Sequence, residues 1–370
     1  WATMLKAING LDAKEAQAVY AKASSEKPCA SEDCPMTLVA MADVFEHRLA
    51  SSYDNLKKQK GDLVDVPESA RFIGLDAYQK AIDAGVHMVI LATAPGFRPI
   101  QYKAAIDAGK HVFMEKPCCV DGPGFKILQE ANKMADDKGL KVGVGLQRRH
   151  DSGYVNGIQK IHDGKYGDLI CLQAYWNGGG IWWRKPQEGW NTMQTQMNNW
   201  YHFTWLSGDN ICEQHVHNLD VCNWAKDAHP IEANGMGGST LRDLDNPGGS
   251  EIFDHHFVEF TYPDGTKMYS QCRHAKGCFT RVSEYAFGSQ GNGGMTDSGE
   301  VKDRGGVDFN FGNPYQQEHY ALVEAIRKGC VNRVLALVED LAGNQPDKFA
   351  TFWKEFGRLL KEGIGEDFIN

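Results

Sequence analysis

Long apolar runs are absent: none approaches the ~18–20 residues of a membrane-spanning helix, so no segment of this sequence reads as one. An excess of positive charge is also lacking. The 39 Lys+Arg against 48 Asp+Glu leave a formal charge of −9, which argues against a protein that coats nucleic acid or anionic membrane. The ten cysteines include no CxxC pair, and their spacings (Cys29 and Cys34, then adjacent Cys118 and Cys119) are irregular. They read as free thiols in a reducing compartment rather than as a disulfide or zinc framework. No signal peptide or twin-arginine segment is visible, and the first residue is Trp1, not Met. The chain is therefore expected to be a fragment or processed product, cytoplasmic as given, with export of a longer form left open. What remains is ordinary globular composition, 42% hydrophobic and 24% charged over 370 residues. That length suggests about two domains at ~150 residues each and needs no staple to bury a core.

From residue 36 to 150 short apolar runs alternate with amphipathic stretches. Strands are expected at 36–44 (MTLVAMADV), 71–73, 88–93, 111–114 and 141–146, and helices at 45–59, 77–84, 99–108 and 125–137. This order predicts an α/β doubly wound parallel sheet of Rossmann type. From 151 the strands follow one another (169–176, 257–262, 268–272, 281–288), with a hairpin turn at Tyr262-Pro263-Asp264-Gly265. A separate α+β domain with an open, mostly antiparallel sheet follows. Helices are expected at 210–225 and 315–328, and the apolar stripe Phe349, Phe352, Trp353, Phe356, Leu359 and Leu360 marks another. The domain boundaries are set at 1–35 (helical remnant or linker), 36–150, 151–332 and 333–370.

One expected motif is missing. A doubly wound fold usually opens with a strand, a Gly-x-Gly-x-x-Gly turn and a helix, whose backbone amides meet a pyrophosphate. Nothing before Met36 reads that way, so the first strand is taken as missing. The clusters Gly178–Gly180 and Gly291–Gly294 read as loops. Asp43 closes a strand where a carboxylate accepts hydrogen bonds from adenosine ribose hydroxyls, and it also suits the cap of the next helix. It would repel a 2′-phosphate, which favours NAD over NADP.

Three blocks then stand in order: Glu115-Lys116-Pro117 after a strand, Gly145-Leu146-Gln147-Arg148-Arg149 after another, and Glu213-x-x-x-His217-x-x-Asp220. Together they resemble the Gfo/Idh/MocA family of NAD(P)-dependent oxidoreductases over roughly residues 36–330. Segments such as EKPCCVDGPG and EQHVHNLDVCNW are similar to its planctomycete-type members. The resemblance implies a Rossmann domain followed by an open-sheet domain, and substrates that are sugars, inositols or their derivatives. It also implies a homo-oligomer paired through the outer face of that sheet. It places Lys116 against nicotinamide and substrate, and gives His217 the place of the family's motif histidine. Glu213 stands where that motif usually has Asp. Thr93, Ala94, Pro95, Glu115 and Gln147 fall in the cofactor loops, and Trp1–Ile8 would match the helix just after the missing turn. Residues 333–370 depart from the family. There DKFATFWKEFGRLLKEGIGEDFIN resembles the middle domain of the bacterial ninety-kilodalton heat-shock chaperone, so a junction of two reading frames is expected near 330–335.

Oxidising a carbinol needs a base for the hydroxyl proton and a cation near the developing alkoxide. His217 suits the first role and Lys116 the second, with Glu213 one helical turn before His217 to orient the imidazole or bind a hydroxyl. Tyr201 and Arg148 are the candidate substrate residues among a dense group of tryptophans. Arg184 and Lys185 suit an anionic group or solvent. Glu213, His215, His217, Asp220, His255 and His256 are metal-ligand types, but His215 and His217 face different sides of a helix, so no metal is assigned. The leading expectation is an NAD-dependent dehydrogenase of a sugar-like substrate, impaired by loss of the glycine turn. The alternative is a non-catalytic sugar-binding or scaffold protein.

Overall fold

The computed structural model describes residues 36–242, 249–297 and 313–327. They fall into two compact units. The smaller includes Lys57–Asp65. There Leu38 and Val64 form an isolated parallel bridge, flanked by bonds from the Leu38 amide to the Leu63 carbonyl and from the Asp65 amide to the Leu38 carbonyl, both 2.9 Å. The larger unit, Val39–Leu56 with Val66–His319, carries all three sheets found among the described residues.

The first half of this unit is the parallel α/β layer. Strand β1 (Met41–Asp43) pairs with β2 (Arg71–Ile73). Strands β3 (Met88–Leu91), β4 (His111–Met114) and β5 (Val142–Val144) pair in that order, also in parallel. The strand expected over 36–44 thus keeps only its last part; Leu38 pairs elsewhere. Helices α1 (Glu46–Lys60), α2 (Ala77–Asp83), α3 (Arg98–Asp107) and α4 (Gly122–Asp137) connect the strands. Helix α4 starts where the Asp121 carboxylate accepts from the Gly124 amide at 2.7 Å, a side-chain cap, and ends ahead of Gly139 at φ 64°. One core joins Ile82, Leu91, Tyr102, Ile106, Val112, Met114 and Leu128. Each buried aliphatic side chain there contributes about 1.5–3 kcal/mol. The two parallel pieces are separate sheets. In the 3-2-1-4-5-6 order of a doubly wound fold, the first strand lies between them. Among the described residues no strand is hydrogen-bonded in that place, and Ile90 of β3 is 53% exposed.

The second half is a six-stranded sheet. Its strands are β6 (Leu169–Gly178), β7 (Glu232–Gly238), β8 (His255–Thr261), β9 (Lys267–His274), β10 (Arg281–Gly288) and β11 (Gly291–Gly294). The order is β11-β10-β6-β9-β8-β7, antiparallel except for β6 with β9. The Gly291–Gly294 cluster is therefore an edge strand, not a loop, and Gly178 ends a strand. Alternate residues Leu172, Ala174, Met268 and Ala286 face a core completed by Ile158 and Ile161 of α5 (Ser152–His162) and Val221, Cys222 and Ala225 of α9 (Val216–Lys226). Between the sheet's first two strands lie α6 (Thr192–Asn198), α7 (Thr204–Ser207) and α8 (Asp209–Glu213). Residues 314–327 are helical. The single helix expected over 210–225 is broken: α8 stops at Glu213 and α9 starts at Val216.

Candidate active site

In a parallel sheet the loops leaving the carboxyl ends of the strands face one crevice. Here those loops carry Asp43 after β1, Thr93-Ala94-Pro95 after β3, Glu115-Lys116 after β4 and Gln147-Arg148 after β5. Two of them are tied together by a residue the sequence reading missed. The Arg98 side chain, 2% exposed, donates to the carbonyls of Thr93 and Pro117. Burial lowers its pKa to about 10. The Thr93 hydroxyl donates to Gln101 Oε1 at 2.5 Å. Gly96 has no room for a side chain, since a Cβ would lie 2.2 Å from the Trp205 carbonyl oxygen. Gly145 serves the same purpose beneath Glu115, whose Oε2 would lie 2.6 Å from a Cβ. Gln147 Nε2 donates to the Tyr315 hydroxyl at 3.1 Å. Asp43 Oδ1 accepts from the Phe45 amide at 2.8 Å, a turn just ahead of α1 whose first accepting carbonyl is that of Phe45, so Asp43 is not itself the cap.

Lys116 and Glu213 meet. The ammonium donates to Glu213 Oε1 at 2.8 Å and to the Glu213 carbonyl at 2.6 Å. Both side chains are largely buried, 15% and 11% exposed. The break after α8 makes this possible: Glu213 ends one helix and His217 lies in the next. The sequence reading gave Glu213 an imidazole or a sugar hydroxyl to hold; the structure gives it Lys116. The Tyr201 hydroxyl is buried beside Glu213 without a hydrogen-bond partner. Burial and the nearby carboxylate hold its pKa well above the usual phenol value.

His217 is 8% exposed and stacks on Trp176 with ring centroids 5.9 Å apart. Its Nδ1 is buried without a partner. Burial, then the charges of Lys116 and Arg148, push its pKa down to about 3, so the ring is neutral at neutral pH. Arg148 lies over the same Trp176, 5.6 Å from the ring centroid, and is ion-paired to the buried Glu284. Glu284 also accepts from the Tyr154 hydroxyl at 2.9 Å and from Asn218 Nδ2. Arg148 is thus committed to a buried carboxylate. Glu284 was missed, although a carboxylate at an inward register position of β10, between Val282 and Ala286, was a signal in the strand's alternation.

The remaining ligand-type residues have other partners. His215 binds Ser270 Oγ at 2.7 Å and Asn218 Oδ1 at 3.2 Å. Asp220 takes both arms of Arg149 at 2.8 Å. His255 pairs with Asp254 at 2.5 Å and His256 lies 3.3 Å from Asp209. Among the described residues no three such side chains converge on one point.

Comparison with known proteins agrees with this architecture. The family model described as an oxidoreductase family with an NAD-binding Rossmann fold matches residues 7–146, beginning well before the Met36 at which the resemblance was first drawn. Among solved structures, aldose-aldose oxidoreductase from Caulobacter crescentus is similar with a TM-score of 0.58 at 17% identity, over 79% of this chain and 82% of that one. Myo-inositol 2-dehydrogenase from Lactobacillus plantarum gives 0.57 at 18% over the same shares. Scyllo-inositol dehydrogenase from Lactobacillus casei, with bound NAD(H) and scyllo-inositol, gives 0.56 at 16%, over 79% and 89%. At these identities the likeness is one of fold. A short segment matches the chaperone protein HtpG: 67% identity over 48 residues with that of Chromobacterium violaceum, and 53% over 70 residues with that of Polaromonas naphthalenivorans. The chain spans only 8% and 11% of the length of these two curated relatives. The expected junction near 330–335 and the stretch 333–370 lie outside the described residues, as do the expectations for 1–35. Over residues 7–146 the chain matches the family model of the Gfo/Idh/MocA oxidoreductases, and a second, open sheet follows that match.

Proposed function

We propose that this chain is built to oxidise a secondary alcohol of a sugar, inositol or related polyol, with a nicotinamide dinucleotide as hydride acceptor. The observation that carries the reading is the arrangement around Lys116. A cation, a carboxylate that fixes it and a neutral, unpartnered imidazole at His217 stand at the carboxyl edge of a parallel sheet. The residues fit the cofactor. Asp43 would hold the ribose, the braced loop of Thr93, Ala94 and Pro95 would support the dinucleotide, and Glu115, Lys116 and Gln147 would hold its nicotinamide end. Asp43 alone favours NAD over NADP. A bound dinucleotide supplies the acceptor for the hydride that leaves the carbinol carbon.

The chain's own groups handle the proton and the charge. His217 takes the hydroxyl proton, and Lys116 stabilises the oxygen as it becomes negative. At a pKa of about 3 the imidazole is free to accept a proton but holds it weakly. A negative oxygen arriving between Lys116 and His217 offsets the Lys116 charge and strengthens the base. Tyr201 and the Trp176 face provide a hydroxyl and an apolar wall for a ring. The cysteines that are free among the described residues suit a reducing compartment. The sheet's outer face, with Tyr175, Tyr269 and Tyr285, suits pairing of two copies.

The test is a spectrophotometric assay of nicotinamide reduction with inositols and aldoses at saturating cofactor. Turnover is expected with a cyclic polyol. Lys116→Met and His217→Asn should each lower kcat about 100-fold or more, with circular dichroism unchanged. Absence of turnover with every polyol and both dinucleotides, in folded protein, would overturn the reading.

A further inference from the structure

Helix α8 is only five residues long, Asp209–Glu213, too short to hold its own conformation in water. Its last residue is the one that meets Lys116. The ammonium binds both the carboxylate and the backbone carbonyl of Glu213, so the contact depends on where the helix ends and not only on a rotamer. Whatever fixes α8 therefore aims Glu213.

Both ends of α8 are tied to the second sheet and the segment leading into it. At the start, the Phe253 amide donates to Asp209 Oδ2 at 2.9 Å, and the Phe253 carbonyl accepts from Asn210 Nδ2 at 3.2 Å. At the other end stands Gln214, the residue after Glu213. Its Oε1 lies 2.8 Å from His274 Nε2. His274 closes β9 and is buried. Its backbone amide donates to the Asp254 carbonyl at 2.7 Å, so the position of the residue is set independently of its ring.

The direction of the ring is set by Arg242. Its Nη2 donates to the Phe253 carbonyl at 2.6 Å and meets His274 Nδ1 at 2.9 Å. A guanidinium only donates, so Nδ1 is the acceptor and the ring proton sits on Nε2, where it is given to Gln214. The other tautomer would set two donors against each other at Arg242 and two acceptors at Gln214. Burial, then the Arg242 charge, lower the His274 pKa to about 4, which keeps the ring neutral at neutral pH. Arg242 is presented in turn by Asp254, 1% exposed, whose Oδ2 accepts from the amides of Thr240 and Leu241. The Tyr201 ring, with its hydroxyl beside Glu213, lies 6.0 Å from the same imidazole.

We infer that His274 is a positioning residue: by anchoring Gln214 it keeps the end of α8 in place and Glu213 turned onto Lys116. It reaches Lys116 only through that helix end. Its effect on turnover rests on the dehydrogenase reading; its effect on the Lys116–Glu213 pair does not.

Two readouts on the full chain test this. His274→Leu and Gln214→Met remove the bond from either side, whereas His274→Gln keeps an amide donor near the place of Nε2. The first readout is reductive methylation with formaldehyde and borohydride, followed by mass spectrometry of the peptide that holds Lys116. Released from Glu213, Lys116 should be methylated about threefold or more faster in His274→Leu and Gln214→Met, and at the wild-type rate in His274→Gln. The second is kcat with a cyclic polyol. It should fall about tenfold in the first two variants, with the KM for the dinucleotide unchanged, and largely return in His274→Gln. Circular dichroism checks folding, and Gln214, only half-buried, offers the milder replacement. Wild-type methylation of Lys116 in the folded His274→Leu and Gln214→Met proteins would overturn the inference. Equal losses in His274→Leu and His274→Gln would overturn it too, because packing rather than the bond would then matter. Absence of turnover in the wild type would overturn the dehydrogenase reading instead, and the methylation rates would still decide the role of His274.

Discussion

Glu318 marks what a residue can hide in a sequence. Its segment YQQEHYALVEAIRK reads as an amphipathic helix, and residues 314–327 are helical. The same periodicity gave no warning that Glu318 would be only 4% exposed, with Oε2 buried and unbonded. Its carboxyl faces Glu115, about two hundred positions earlier, and nothing local announces such a neighbour. Burial first, and the Glu115 charge second, push its pKa up to about 8. A carboxyl whose folded pKa is raised favours the fold only while protonated. That stability is present below the unfolded value and is lost as pH rises toward 8. Replacing Glu318 by Gln should therefore raise unfolding stability at pH 7 by roughly 2 kcal/mol and change little at pH 4. Urea titrations at both pH values test this; equal midpoints for the two proteins at pH 7 would show that Glu318 carries no such cost. Lys116 and His217, by contrast, were singled out because they stand at the family's motif positions. Their supports, Arg98, Glu284 and Asn218, were not, since each acts through a long-range contact.

Elements were legible wherever side chains alternate or cycle with a clear period. Strand β10 occupies the 281–288 expected of it, because Val282, Glu284 and Ala286 alternate with their neighbours. Strand β11 was missed because Gly291, Gly293 and Gly294 offer no side chains to read. Gly293, with Gly288 at the end of β10, lets Tyr166 approach: a Cβ on Gly293 would lie 2.4 Å from its hydroxyl, and one on Gly288 2.0 Å from its carbonyl oxygen. The break between α8 and α9 carries no Gly or Pro at Gln214-His215 either. It is made by tertiary bonds, chiefly that of His215 to Ser270 on β9. Such contacts override spacing, and this one turns Glu213 onto Lys116. Helix α5 shows the same precedence in a testable form. By propensity, Gly157→Ala should stabilise an interior helical position by ~1 kcal/mol. A Cβ there would sit 2.2 Å from the Met295 carbonyl oxygen, with backbone atoms as the obstacle. Overpacking of this kind costs about 1–3 kcal/mol, and the propensity gain does not offset a backbone shift. Gly157→Ala should lower the urea midpoint; an unchanged or raised midpoint would mean that the β11 end yields freely.

The two-layer plan of the molecule was legible from the alternation of strands and helices, whereas its response to acid was not, because that depends on which histidines are dry. The parallel pieces and the six-stranded sheet have separate cores, and the buried neutral histidines lie with the second. His215 and His217 are pushed down to about 3 and His274 to about 4, in each case mainly by burial. A histidine with a depressed folded pKa is bound by more protons in the unfolded chain. Its contribution is complete above the unfolded value near ~6.5 and is lost as pH falls toward the folded one. Between pH 6.5 and 5 each such group removes about 2 kcal/mol. The buried Glu284 and Glu318, both raised by burial, act in the opposite sense over the same interval and offset part of that loss. Three histidines outweigh two carboxyls here, since Glu284 also keeps the Arg148, Tyr154 and Asn218 bonds that favour its charged form. The denaturation midpoint should therefore fall from pH 7 to pH 5, more steeply once Glu318→Gln removes one opposing carboxyl, and less steeply in His274→Asn. A midpoint that holds constant across this range would mean that the three rings are hydrated enough to charge in place, and the dry His217 on which the proposed proton transfer depends would go with them.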